Sequence, residues 1–251
     1  MSERWRFLRS EFPEDPALNY AIETSISEHV GTGVVPPTLR LWQPGKCLAV
    51  GRFDSKLPNF ESAVAAMKEK GVLVLQRMSG GKAVWQDKGY LNFSVIIPRT
   101  RIGIPEAYRK YSEGLIRGFR SLGVETDFEH VEGAFCDGPY DLAANGIKLV
   151  GTAQVQKKNF IMVHGTILID CDVRDMVEIV SRFYEIAGEP SHLITETMAS
   201  LRDLAGREVS MSESIEAIRA GYEETLGAMI EQQISAEELG LAKAKIAERV
   251  L

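Results

Sequence analysis

Cysteine is scarce in this chain: 251 residues contain three, Cys47, Cys136 and Cys171. An odd number without metal-ligand spacing excludes a disulfide framework and a zinc site, so free thiols are expected. Long apolar runs are also missing. No stretch approaches the roughly eighteen residues a membrane helix needs, and the opening Met1-Ser2-Glu3-Arg4-Trp5 is not a signal peptide, which points to a cytoplasmic protein. Basic residues are outnumbered, 29 Lys and Arg against 35 Asp and Glu, giving a formal net charge of -6 at pH 7. Such a surface offers no general attraction to nucleic acid. No internal repeat divides the chain and no low-complexity linker interrupts it, which excludes a solenoid and a tethered pair of domains.

What is present is ordinary for a globular chain, 45% hydrophobic and 25% charged. Trp5 to Leu8 reads as a strand, and Asp15 followed by Pro16 announces a helix running to Val30. Thr38 to Trp42 alternates polar and apolar residues, and Cys47 to Gly51 follows a Pro44-Gly45 turn, so the two are expected to pair as antiparallel neighbours. A helix at 59–70, a strand at 72–75, and further strands at 83–85 and 91–97 follow. Tyr108, Tyr111, Leu115, Phe119 and Leu122 recur at three- and four-residue intervals and predict a helix with one face in the core. Residues 148–155 and 160–170 return to strand character around the polar turn Gln156-Lys157-Lys158-Asn159. Strands and helices interleave without regular βαβ alternation, which predicts an α+β fold with a mixed, mainly antiparallel sheet flanked by helices. After Gly206 the capping-box spacings Ser210/Glu213 and Ser235/Glu238 open two helices. The expected organisation is therefore a body over 1–205 and a small helical extension over 206–251 packed on it.

Several segments carry groups suited to chemistry. Arg77-Met78-Ser79-Gly80-Gly81-Lys82-Ala83-Val84 follows a buried strand. Its glycines let backbone N–H groups approach an anionic or carbonyl ligand, with Arg77 supplying charge, although any hairpin turn can also use a glycine pair. Asp87, Gly89, Asn92 and Ser94 place polar side chains along an otherwise apolar strand, where each needs a partner if buried. Asp141, Lys148, Gly151, Thr152 and Gln154 fall in one strand-turn-strand unit, and His164-Gly165-Thr166 interrupts the next strand. Cys136, in Phe135-Cys136-Asp137-Gly138-Pro139-Tyr140-Asp141-Leu142, precedes Lys148 by twelve residues. A lysine can hold an acyl carboxylate or adenylate, whereas a cysteine can carry the acyl group itself as a thioester.

Together these segments, with Asp15 to Glu23, Pro37 to Trp42 and Val163 to Leu168, resemble the biotin/lipoate protein ligase and lipoyl/octanoyl transferase superfamily over residues 1–205. The resemblance implies that superfamily's α+β catalytic domain. Ligases usually carry a third glycine where Lys82 stands and a His-Asp pair where this chain has Gln86-Asp87. The Cys136 segment and Glu196 to Leu201 are similar to cysteine-dependent octanoyltransferases that take octanoyl from the glycine-cleavage H protein. His164 to Leu168 and the helical tail are closer to the ligases and to transferases drawing on acyl carrier protein.

The implied activity is transfer of an octanoyl or lipoyl group, through a Cys136 thioester, to a lysine of a lipoyl domain such as the H protein or an E2 subunit of a 2-oxoacid dehydrogenase. Cys136 and Lys148 are the implied catalytic pair, with Lys148 favouring the thiolate and steadying the oxyanion. Arg77, Ser79, Gly80, Gly81, Asp87, Asn92, Asp141, Gly151, Thr152, Ala153, Gln154, His164, Gly165 and Thr166 are the implied substrate-binding set. No cofactor and no metal is required for this transfer. An ATP- and Mg²⁺-dependent ligase, with Lys148 on the lipoyl-adenylate, is the alternative, and a non-catalytic lipoyl-binding protein is a second. Lys157 and Lys158 are candidates for a basic docking surface, since acceptor domains of this kind are usually acidic.

Overall fold

The computed structural model describes residues 4–9 and 12–251; Met1 to Glu3, within the segment read above as no signal peptide, lie outside them. In chain order the elements are β1 (Trp5–Arg9), α1 (Pro16–Gly31), β2 (Thr38–Trp42), β3 (Cys47–Val50), α2 (Phe60–Glu69), β4 (Val74–Gln76), β5 (Val84–Gln86), β6 (Tyr90–Pro98) and α3 (Ile104–Ser121). There follow β7 (Asp127–Phe128), β8 (Leu142–Ala144), β9 (Ile147–Gln156), β10 (Phe160–Leu168), α4 (Val173–Ala187), α5 (Leu201–Ala205), α6 (Met211–Leu226), β11 (Met229–Gln232) and α7 (Ala236–Ala244).

Local chemistry explains several of these boundaries. The Asp15 carboxylate accepts the Leu18 N–H at 2.9 Å, and Pro16 takes the first turn of α1, where no amide donor is needed. Ser200 and Ser235 cap α5 and α7 in reciprocal boxes with Asp203 and Glu238. Gly188, at φ 90°, ends α4 in the left-handed conformation that a side chain disfavours.

Eight strands form one sheet in the order β11-β1-β2-β6-β10-β9-β8-β7, and β4-β3-β5 form a smaller one. In the large sheet β1 runs parallel to both β11 and β2, and the remaining pairs are antiparallel. The fold is thus the α+β arrangement of mainly antiparallel sheet and flanking helices that the sequence predicts.

Two local readings change. β2 and β3 are not hairpin partners: β2 lies between β1 and β6, whereas β3 belongs to the small sheet. Gly45, at φ 69°, turns the link between them against Pro13, whose carbonyl oxygen would sit 2.4 Å from any Cβ there. That close approach carries the chain from one sheet to the other. The polar residues of β2 are held inside: Thr38 and Arg40 are buried, and the Arg40 guanidinium donates to Asn19 O (2.9 Å) and Asn19 Oδ1 (2.8 Å). Helix α4 was not among the expected elements, although Met176, Val180, Phe183 and Ala187 form its buried stripe.

Residues 206–251 supply more than helices. α6 packs on α3, where Gly114 and Gly118 let the two backbones approach. β11 extends the large sheet through β1, and the Leu251 N–H donates to Val74 O of the small sheet at 3.2 Å. The principal tether is Glu238. Its carboxylate accepts from Arg6 Nη2 (2.7 Å), Arg6 Nη1 (3.1 Å) and the Ser235 N–H (2.9 Å), with Arg6 only 2% exposed and Glu238 fully buried.

Burial opposes charge on Glu238, but the Arg6 and Ser235 donors outweigh it and hold the carboxyl below the usual glutamate range. The lowered value stabilises the fold above the ordinary carboxylate pKa, and that contribution is lost as pH falls through the folded value. Glu238→Ala should destabilise the chain by about 3 to 5 kcal/mol at neutral pH, the usual cost of leaving a buried partner unpaired. Urea titrations of both proteins across pH should show the gap narrowing in acid, where Glu238 protonates in the parent as well.

Candidate functional site

A cavity opens between α1 and the face of the large sheet that α1 covers. Register places its wall. Trp42 pairs with Asn92, Asn92 with Thr166 and Thr166 with Gly151, and one row further Ser94 pairs with His164 and His164 with Ala153. Residues two apart on a strand share a face, so these rows form a continuous wall. Tyr20 and Glu23 of α1 face it, and Arg77, Val84, Gln86, Phe135 and Cys136 complete the lining.

The wall is polar in composition but largely self-satisfied. Gln86 Nε2 donates to Asn92 Oδ1 (3.1 Å) and Thr166 Oγ1 (2.7 Å), and Gln86 Oε1 accepts from Tyr20 OH at 2.6 Å. Glu23 accepts a hydrogen bond from Ser94 Oγ. A partnered polar group incurs no desolvation loss when an apolar chain covers it, so an alkyl chain is admissible here. The exceptions are Trp42, whose buried Nε1 has no partner, and His164, whose buried Nε2 has none either. Burial pulls the His164 pKa down and Arg77 adds to that, against an upward pull from Glu23, which leaves a neutral imidazole in the wall.

Cys136 stands at the edge of this cavity in the 129–141 loop. Its sulfur accepts the Lys82 N–H at 3.1 Å, and Arg77 Nη2 lies 3.5 Å away. Its φ is 43°, a conformation that costs a non-glycine residue roughly 1–2 kcal/mol. Gly81 makes the approach of sulfur to the 77–84 loop possible, because a Cβ there would lie 2.5 Å from Cys136 Sγ and 2.6 Å from Arg77 Nη2. Arg77 braces that loop by donating to Gly80 O and Lys82 O, each at 2.8 Å from Nη2. Behind it, Tyr184 OH donates to Asp54 Oδ1 (2.7 Å) and accepts the Ala83 N–H (2.6 Å), while the Gly51 N–H donates to Asp54 Oδ2 (2.7 Å).

Lys148 is not at the sulfur. Its Nζ donates to Asp141 Oδ2 (2.6 Å), Phe135 O (2.5 Å) and Cys136 O (3.4 Å), and both Lys148 and Asp141 are fully buried. The other Asp141 oxygen accepts the Thr152 N–H at 2.8 Å, and the Gly138 N–H donates to Oδ2 at 2.8 Å. Burial pushes the Asp141 carboxyl up, with Lys148 and the two amides pulling against it. The pair therefore ties the cysteine loop to β9 from beneath, and the donors that face Sγ are Arg77 and the Lys82 amide.

Of the residues singled out in the sequence, Arg77, Asn92, Cys136, Gly151, Thr152, Ala153, His164, Gly165 and Thr166 line the cavity. Gly80 and Gly81 shape the adjoining loop, and Ser79 is buried within it with its hydroxyl unpartnered. Asp141 and Lys148 lie behind the wall. Asp87 is a turn residue whose carboxylate accepts the Lys88 N–H at 2.7 Å, and Gln154 points to the other face of β9, toward Ile104 O. Tyr20, Glu23, Trp42, Val84, Gln86 and Phe135 were missed as lining residues. Glu23 could have been found as a carboxylate amid the otherwise uncharged stretch Pro16 to Ser27.

An octanoyltransferase LipM of Kyrpidia tusciae is 34% identical over 271 residues, covering 98% of this chain and 96% of that protein. An octanoyl-[GcvH]:protein N-octanoyltransferase of Geobacillus kaustophilus is 30% identical, covering 86% and 80%. The fold matches a crystal structure of lipoate-protein ligase A bound with ATP at a TM-score of 0.78, with 22% identity and 99% and 95% coverage. The model of the lipoyl protein ligase A/B catalytic domain matches residues 15–223. A cavity walled by β6, β9 and β10, with a thiol at its edge, is thus what this chain builds as a member of the lipoyl protein ligase A/B catalytic domain family.

Proposed function

We propose that this chain is an acyltransferase that moves an octanoyl or lipoyl group from a carrier protein, through a thioester on Cys136, to a lysine of a lipoyl domain. The observation that carries the reading is the seating of Cys136 Sγ at the cavity edge, against the Lys82 N–H and Arg77. Sγ attacks the donor carbonyl, and the former carrier group leaves with a proton. Arg77 and the Lys82 amide are the donors placed to oppose charge on the carbonyl oxygen. The acyl chain lies in the cavity while the thioester persists. The acceptor amine then forms the N–C bond, the C–S bond breaks, and Cys136 is regenerated. Lys148 acts from behind by fixing the Phe135 and Cys136 carbonyls.

The donor is an acylated carrier, either the H protein named for the Geobacillus relative or acyl carrier protein, and the acceptor is an H protein or an E2 lipoyl domain. Transfer from a thioester donor to an amine is downhill and takes no cofactor, whereas exchange between the amides of an H protein and another lipoyl domain is roughly balanced and reversible. A ligase reading places Lys148 on an adenylate, but its Nζ is fully buried and bonded to Asp141 and two carbonyls. We place residues 1–205 as the catalytic body and 206–251 as its packed extension. The site of action we assign is the cytoplasm, which suits three free thiols. Among the described residues no helix is long and apolar enough to cross a membrane.

Incubation with an octanoyl-carrier donor should add the mass of one octanoyl group to the protein, detectable by intact mass spectrometry and absent from Cys136→Ser. Full activity of Cys136→Ser with ATP and free lipoate would sink the proposal. Gly81→Ala should slow adduct formation by at least about a hundredfold, the order expected when an attacking group is displaced by about 1 Å. Normal capture by that variant would mean that the 77–84 loop does not seat the sulfur. Charge reversal at Lys157 and Lys158, both exposed on the β9–β10 turn, should slow transfer to protein acceptors and leave self-acylation unchanged. Equal transfer rates would move the docking surface elsewhere.

A further inference from the structure

Lys82 reaches the cysteine loop twice. Its N–H meets Cys136 Sγ at 3.1 Å, and its Nζ lies 3.0 Å from Asp137 Oδ1, on the residue directly after the cysteine. The second Asp137 oxygen is bonded to His130 Nε2 at 3.1 Å. One carboxylate thus joins the 77–84 loop to both ends of the 129–141 loop. Burial opposes charge on Asp137, yet the hydrogen bonds from Lys82 and His130 prevail and hold it below the usual aspartate range.

Nothing in the transfer chemistry requires this bridge, and a single partly exposed ion pair contributes little to stability. Its placement gives it another use. Cys136 holds a left-handed φ of 43° without being glycine, and such strain persists only where the surroundings over-determine it. The Asp141–Lys148 pair restrains the loop from beneath, through the Phe135 and Cys136 carbonyls. On the open side, where Lys82 is 58% and Asp137 23% exposed, the restraint is the Lys82–Asp137–His130 bridge.

We infer that Lys82 and Asp137 are positioning residues, and that their bridge clamps the open side of the site so that the Cys136 sulfur stays against the Lys82 amide. The inference rests on Cys136 being the acyl carrier. The clamp acts on the reactivity of the thiol rather than on acyl-chain binding, so its loss lowers kcat for acyl capture and leaves KM nearly unchanged.

The test uses the full chain and S-octanoyl-N-acetylcysteamine, an uncharged acyl donor, with adduct formation followed by intact mass. Lys82→Met keeps the backbone N–H and loses the ammonium; it should capture octanoyl about fivefold more slowly, the upper range for a partly exposed pair. Asp137→Asn should do the same. The double variant should be no slower than either, because both remove one bridge. Lys82→Arg should restore capture to within about twofold, since its guanidinium also pairs with a carboxylate. Salt at about 1 M should slow the parent toward the Lys82→Met rate and slow that variant less, because the screened Lys82–Asp137 pair is present only in the parent.

Capture by Lys82→Met at the parental rate, or effects that multiply in the double variant, would overturn the clamp while leaving the acyl-enzyme intact. A parent chain that forms no adduct, or a Cys136→Ser chain that does, would overturn the acyl-enzyme reading and the clamp with it. Thermal melts of each variant separate a lost clamp from a lost fold.

Discussion

The site depends first on the buried pair between Asp141 and Lys148. Removing two charges from water is costly, and the cost is offset here because every oxygen and the ammonium find partners. One Asp141 oxygen takes Lys148 and the Gly138 amide, the other takes the Thr152 amide, and Lys148 spends its remaining donors on the Phe135 and Cys136 carbonyls. These bonds fix the cysteine loop to β9, the same strand that presents Gly151 and Ala153 to the cavity. The placement of the cysteine loop against the cavity wall is therefore held from beneath by one ion pair. A charge pair retained in a core that hydrophobic residues could fill argues for geometry over stability.

Glycine plays the complementary part. Where Asp141 and Lys148 pull chains together, Gly51, Gly81, Gly151 and Gly165 remove the side chains that would keep them apart. Any Cβ at Gly51 would lie 2.0 Å from Gly81 O, and one at Gly165 would lie 2.1 Å from Gly151 O. These are backbone obstacles that rotamer changes cannot relieve. Gly51 and Gly165 thus serve close packing of main chain on main chain, and Gly81 leaves room for the Cys136 sulfur and the Arg77 guanidinium.

Much of this was legible in the sequence, and for local reasons. The caps at Asp15, Ser210 and Ser235 and the apolar stripe of α3 are encoded within a few residues. So is the polar turn between β9 and β10, which fixes the register that lines up Gly151 with Thr166. What could not be read depends on distant partners. Arg40 of β2 is buried, and the Asn19 that accepts its hydrogen bonds lies in α1. Lys148 looked like a cation for the ligand because nothing in its own segment reveals that Asp141 points back at it. The missed lining residues Tyr20, Glu23 and Trp42 come from α1 and β2, which no spacing rule connects to Cys136.

The pairing of Arg6 with Glu238 has a consequence for synthesis. Arg6 is buried against a carboxylate made 232 residues later, and β1 finds its outer neighbour only in β11. During elongation β1 can dock on β2 soon after both emerge, but its guanidinium must stay solvated and its outer edge open until α7 leaves the ribosome. Long-range contacts of this kind close late because loop-closure entropy precedes their reward. An open β1 edge is also a template for pairing with another nascent chain. β1 is therefore a vulnerable strand until β11 and α7 have been made.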